Sequence, residues 1–166
     1  MNPQQQKGSK TNLNTVENAK TAPQGLEEES TSCTTSTSPA SKAIAWGMSQ
    51  LESKRYRNYC QRFVRLAFEH AGVVCTVQPS SACEAANLWL VDTSMESIPF
   101  GATVYFNGST PDGHVGIHLG GWRILHAAET VRIDNLASLL HLGYRGYGFQ
   151  AGVALYPADA TELRCS

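Results

Sequence analysis

The apolar pattern changes period once along the chain, near Asp92, and the order of the two periods decides the class of fold. Upstream, apolar residues recur at helical spacing. Ser41 is placed to cap a helix running to about Tyr56, with Ile44, Met48 and Leu51 on one stripe. From Cys60 to Ala71, the residues Phe63, Val64, Ala67, Phe68 and Ala71 share one helical face, and Gly72 is a natural stop. Ser81 and Glu84 have capping-box spacing, predicting a third helix to about Leu90 with Trp89 buried. Downstream, short runs punctuated by glycine read as strands: Ala102 to Asn107, His114 to Leu119, Arg123 to Ala127 and a closing strand from Ala151 to Tyr156. Asp134 is read as the cap of a further helix ending near Gly143. Helices first and strands later predict an α+β domain with an antiparallel sheet.

That domain is expected over residues 42–166. Residues 1–41 are dominated by Gln, Asn, Thr and Ser, contain no aromatic, and carry too little apolar surface to offset the entropy of ordering, so they are read as disordered. Residues 42–166 hold every aromatic, and their ten Lys/Arg balance ten Asp/Glu. The balance gives no basic surface for nucleic acid and no polybasic anchor, and no apolar run approaches the roughly 20 residues of a membrane span. The start, Met1-Asn2-Pro3-Gln4, lacks the pattern of a secretory signal peptide, so export by another route or an intracellular product is expected. Five cysteines (Cys33, Cys60, Cys75, Cys83 and Cys165) cannot all pair within the chain. Free thiols are expected, although Cys75 and Cys83 are close enough in sequence to bridge.

Chemistry concentrates at Cys60, His114 and His126. Cys60 falls in the first turn of the second helix, where amides and the helix dipole favour an anion, so a depressed thiol pKa is expected. His114 opens a strand directly after an Asp112-Gly113 turn, and His126 follows on the returning strand. The loop length decides whether they meet. A two-residue Gly120-Gly121 turn would put His126 opposite Val115, on the wrong face. A three-residue loop, Gly120-Gly121-Trp122, pairs Gly116 with His126 and puts both histidines on one face. The set then reads as a nucleophile, its base and the residue orienting that base. Failing this register, Glu129 or Asn135 would take the third role. The same three side chains are alternatively a Cys-His₂ zinc site with one open position. His118 shares the strand face of His114, and His70 and His141 are placed near helix C-termini. Arg57 or Arg62 is suited to a substrate carboxylate.

Three stretches resemble the NlpC-type cysteine peptidases of bacterial cell walls. Tyr59-Cys60-Gln61-Arg62-Phe63-Val64 is similar to that family's Asp-Cys-Ser-Gly-Phe-Val. Pro99 to Phe106 resembles its Pro-Gly-Asp-Leu-Val-Phe-Phe strand. Gly113-His114-Val115-Gly116-Ile117-His118-Leu119-Gly120, continuing to Leu125-His126-Ala127, resembles its Gly-His-Val-Gly-Ile-Tyr-Leu-Gly…Ile-His-Ala hairpin. The likeness spans roughly residues 42–156. It departs at Tyr59, at Gln61-Arg62, at Ala102, and in lacking an upstream tyrosine, for which Tyr56 is the candidate substitute. The resemblance implies a papain-like α+β fold and a cysteine hydrolase that cuts peptidoglycan stem peptides at the cell envelope; a monomer without cofactor or metal is expected. Cys60-Gln61-Arg62-Phe63-Val64 is also similar to the helix start of CHAP amidases. Acyl transfer to another acceptor, or a binding module that keeps the fold without turnover, are the alternative readings.

Overall fold

A computed structural model describes residues 37–152. The chain runs through three helices, α1 (Pro39–Met48), α2 (Cys60–His70) and α3 (Ala82–Trp89), and then into strands β1 (Leu90–Asp92), β2 (Thr103–Phe106), β3 (His114–His118), β4 (Arg123–Ala127) and β5 (Val131–Asn135). A single turn of helix, α4 (Leu136–Leu139), and a 3-10 turn (Leu140–Leu142) lead to β6 (Tyr144–Gly148). The strands form one sheet in the order β1-β6-β2-β3-β4-β5, with every neighbouring pair antiparallel. The α+β class expected from the order of periods is the class observed.

Alternation along the central strands separates two cores. Tyr105, Val115, Ile117, Leu125 and Ala127 point to one face and pack with Phe63, Val64, Ala67 and Phe68 of α2 and Ala40 and Ala43 of α1. Val104, Phe106 and Ile124 point to the other, where Leu136 and Leu139 of α4 cover them. Phe63, Val64 and Phe68 are fully buried, and each such side chain contributes about 1.5–3 kcal/mol relative to leaving it in water. The α2 stripe seen in the sequence is therefore what holds the Cys60 end of the helix against the sheet.

Several boundaries differ from expectation. The first helix begins at Pro39, not after Ser41: proline suits the opening turn, and Ser38 is the cap, its Oγ accepting from the Ser41 amide at 3.1 Å. It ends at Met48, and Leu51 lies outside it. The ordered core thus reaches into the stretch assigned to residues 1–41. The capping box forms, with the Glu84 amide donating to Ser81 Oγ, although the Glu84 carboxylate turns to the amide and hydroxyl of Ser80. Trp89 is half-buried. Asp134 caps nothing. It lies in β5, and Asn135 caps α4, its side chain accepting from Ala137 N. The strand pairing with β2 on its far side is Tyr144–Gly148. Ala151 and Gly152 of the expected closing strand lie in a 3-10 turn, and residues 153–156 lie outside the described residues. No helix among the described residues is long and apolar enough to cross a membrane.

Candidate active site

Cys60 is the first residue of α2. Tyr59 precedes it at the cap position without a side-chain cap bond, which leaves opening amides of the helix to the Cys60 sulfur. The thiol is half-buried where the helix start meets β3, with the main-chain amides of Val115, Gln61 and Cys60 itself directed at the sulfur. Those amides favour the anion, as the sequence suggests, but burial outweighs them. It pushes the Cys60 thiol above its ordinary pKa, and Asp112 acts in the same direction. The expected depression of the thiol pKa is therefore corrected: helix position was legible, and the degree of enclosure was not.

The hairpin takes the three-residue register. Gly116 pairs with His126 and His118 with Ile124, and Leu119 N donates to Arg123 O across the Gly120-Gly121-Trp122 loop. Each loop residue has positive φ, 78°, 58° and 62° in turn. The two glycines adopt this without strain, whereas Trp122 does so against its Cβ. His114 and His126 consequently share a face, as expected, and meet: His114 Nε2 and His126 Nδ1 are 2.8 Å apart, with the rings nearly perpendicular. Gly116 makes this possible. A Cβ there would lie 2.9 Å from His126 Cβ and would strike Ile124 Cγ2.

A fourth side chain joins them. Asp134 Oδ2 lies 3.1 Å from His126 Nε2, and Arg132 Nε donates to the same oxygen at 2.8 Å. β5 supplies both residues because Ile124 pairs with Asp134 and His126 with Arg132, which places them on the histidine face. Sequence reasoning gave Asp134 a capping role and missed it. The signal was present in Val131-Arg132-Ile133-Asp134, whose strict alternation of apolar and polar residues is that of a half-buried strand. Burial, then the neighbouring His126 ring and Arg132, lower the pKa of His114 to about 4. Burial also lowers that of His126, against the opposing pull of Asp134. Both rings are neutral near pH 7.

Cys60, His114 and His126 line one cleft of about 760 Å³, with Tyr59, Arg62 and Arg132 among its walls. Both ring nitrogens of His126 are engaged, one with His114 and one with Asp134, so the three side chains do not converge as metal ligands. Arg57 is held in an exposed ion pair with Glu129 at the rim, 2.9 Å apart. Arg62 reaches the cleft, and Arg65 pairs with Glu69 at 2.8 Å along α2 as the spacing suggests. His118 is buried and turned away, its Nδ1 on the Pro99 carbonyl at 3.0 Å. His70 stacks on Trp46, and His141 binds the Ser138 carbonyl on the cleft wall. Cys75 and Cys83 are both free thiols, while Cys33 and Cys165 lie outside the described residues.

No family model and no curated protein matches the sequence, but solved structures match the fold. A Staphylococcus aureus protein of the NLP/P60 family, described as similar to lipoprotein, superposes with TM-score 0.58 at 16% identity, over 80% of this chain and 45% of that one. The chain thus spans under half the length of that protein. The peptidoglycan hydrolase RipB of Mycobacterium tuberculosis gives TM-score 0.52 at 18% identity, covering 68% of this chain and 64% of its own. RipD of the same organism, a non-catalytic NlpC/p60 domain protein adapted to peptidoglycan binding, gives 0.50 at 16%, covering 66% and 94%. Likeness in the Cys60 helix start and in the hairpin is now joined by likeness of the whole sheet and its helices, and the chain has the NlpC/P60 fold.

Proposed function

We propose that the protein is a cysteine hydrolase that cleaves peptide bonds in peptidoglycan stem peptides, with Cys60 as nucleophile, His114 as its base and His126 orienting the base. The observation that carries the reading is the chain of contacts behind His114. Its Nε2 is committed to His126, so Nδ1 is the ring nitrogen left to take a proton from a thiol in the same cleft. Such an arrangement serves no packing purpose, since three buried or half-buried polar groups displace apolar contacts.

The proton inventory suits general-base attack. With the thiol raised and His114 lowered to about 4, the resting pair is neutral, S–H beside imidazole. As sulfur attacks the carbonyl, its proton passes to His114. The developing imidazolium then reprotonates the leaving amine, giving a thioester that water hydrolyses with His114 again as base. The amides of Val115 and Gln61 stabilise negative charge on sulfur as it forms.

RipD, which shares the fold and is non-catalytic, makes a binding module the rival reading. The continuous hydrogen bonding of His114 and His126 above a cleft that also contains Cys60 favours turnover. Mass spectrometry of purified peptidoglycan digested by wild type and by Cys60→Ala decides between them. New amino termini without new reducing ends, released by wild type and absent with Cys60→Ala, are expected. Equal digestion by both proteins would remove Cys60 from the mechanism.

A further inference from the structure

We propose that Asp134 is a positioning residue for this site: its carboxylate sets the tautomer of His126 and thereby keeps Nδ1 of His114 unprotonated and facing the nucleophile. The proposal rests on the hydrolase reading above. An ionised carboxylate can only accept, so the 3.1 Å contact with Asp134 Oδ2 requires the proton of neutral His126 to sit on Nε2. Nδ1 of His126 then carries a lone pair and accepts from His114 Nε2–H across 2.8 Å. A neutral imidazole has one N–H, so Nδ1 of His114 is bare. Each step follows from the one before it, and the carboxylate is the first.

Without that carboxylate, His126 is free to hold its proton on Nδ1. It then confronts His114 with a donor, and the matching hydrogen bond needs a bare His114 Nε2. The His114 proton moves to Nδ1, which is the position that must receive the thiol proton. Arg132 strengthens the device. Its Nε shares Oδ2 with His126, so two donors from neighbouring strands, on one face of the sheet, fix a single oxygen. Asp134 is only partly exposed and His126 hardly at all, so water cannot substitute freely at the contact. During attack, the S–H bond breaks and an N–H bond forms at His114 Nδ1. The resulting positive charge lies on His114, against His126 and one ring removed from the Asp134 carboxylate.

The test pairs nitrogen NMR of ¹⁵N-histidine-labelled protein with peptidoglycan hydrolysis, on wild type, Asp134→Leu and Asp134→Asn. Wild type should show both His114 and His126 protonated on Nε2. Asp134→Leu should show mixed tautomers at both rings and lose kcat by roughly 10–100-fold, the loss seen when the partner that orients a metal-bound histidine is removed, with KM within about twofold. Asp134→Asn keeps an oxygen for Arg132 and His126 and should recover the tautomers and part of kcat. Unchanged tautomers in Asp134→Leu would overturn the assignment. So would His126 protonated on Nδ1 in wild type, a measurement that needs no variant to fold. If wild type hydrolyses no peptidoglycan, the substrate reading fails separately, and the tautomers still decide the role of Asp134.

Discussion

Cys60 meets two opposing influences at the start of α2, and their balance says how its chemistry must run. The amides of Val115, Gln61 and Cys60 draw the thiol toward its anion, and enclosure between helix and strand pushes it back further. His114, lowered to about 4, cannot tip the balance by resting as a cation. The pair is therefore neutral at rest, and under the proposed mechanism the nucleophile forms during attack instead of waiting as a thiolate. The consequence for alkylation is direct. A thiol raised above its ordinary pKa has less thiolate at pH 7 than a free cysteine, for which the value is about 8.5. The second-order rate of Cys60 with iodoacetamide, corrected with Cys60→Ala, should be below that of free cysteine at pH 7 and still be rising at pH 9. A plateau reached by pH 6 would mean a preformed thiolate.

At the level of elements, the site is a property of three consecutive strands. β3 carries His114, β4 carries His126 and β5 carries Arg132 and Asp134, each placed by register on one face. Much of this was legible. The Gly120-Gly121-Trp122 spacing offered the pairing of Gly116 with His126 as the register that joins the two histidines, and the strand pairing has that register. α2 was legible because its apolar stripe is long enough to leave one helical face possible. β5 carried the signal of alternation but was missed, since Asp and Asn beside so short an apolar run suit a helix cap as well as a strand end, and pairing with β4 settles the choice. Likewise Tyr144–Gly148 contains two glycines, weak strand formers alone, that close approach to β1 requires: a Cβ on Gly148 would strike the carbonyl oxygen of Trp89. Gly116 offers the sharpest test of the strand account. Gly116→Ala should lower stability by about 1–3 kcal/mol, the usual cost of overpacking, and should reduce hydrolysis because the new methyl displaces His126. Gly120→Ala meets open space but a φ of +78°, so it should cost about 1–2 kcal/mol of left-handed strain while leaving kcat nearly unchanged. Equal losses of kcat in thermal-melt-matched assays would show that Gly116 does not serve the imidazole.

Across the whole molecule, the helical layer holds Cys60 and the sheet holds its partners, so the site exists where the two are packed together. α1 belongs to that packing. Ala40 and Ala43 are fully buried, and Ala40 lies against Gly101 so closely that a Cβ there would strike it. A chain starting at residue 37 keeps that packing. One starting at residue 42 loses the Ser38 cap, worth about 1 kcal/mol, and the buried Ala40, and should melt at least about 4 °C lower, as roughly 1 kcal/mol does in a domain near this size. Coincident melting of the two truncations would return the boundary to residue 42, where composition alone had put it. Composition could not see α1 because its opening, Ser38-Pro39-Ala40-Ser41, continues the small and polar character of the preceding residues. The assembled site makes a commitment that can be read in mass. Peptidoglycan turnover quenched in acid before steady state should leave a peptide fragment as a thioester on Cys60, located by mass spectrometry of the digested protein and reversed by hydroxylamine. The adduct should accumulate in wild type and be nearly absent in His114→Ala. Turnover that continues in Cys60→Ala, or an adduct on any other residue, would contradict Cys60 as the nucleophile.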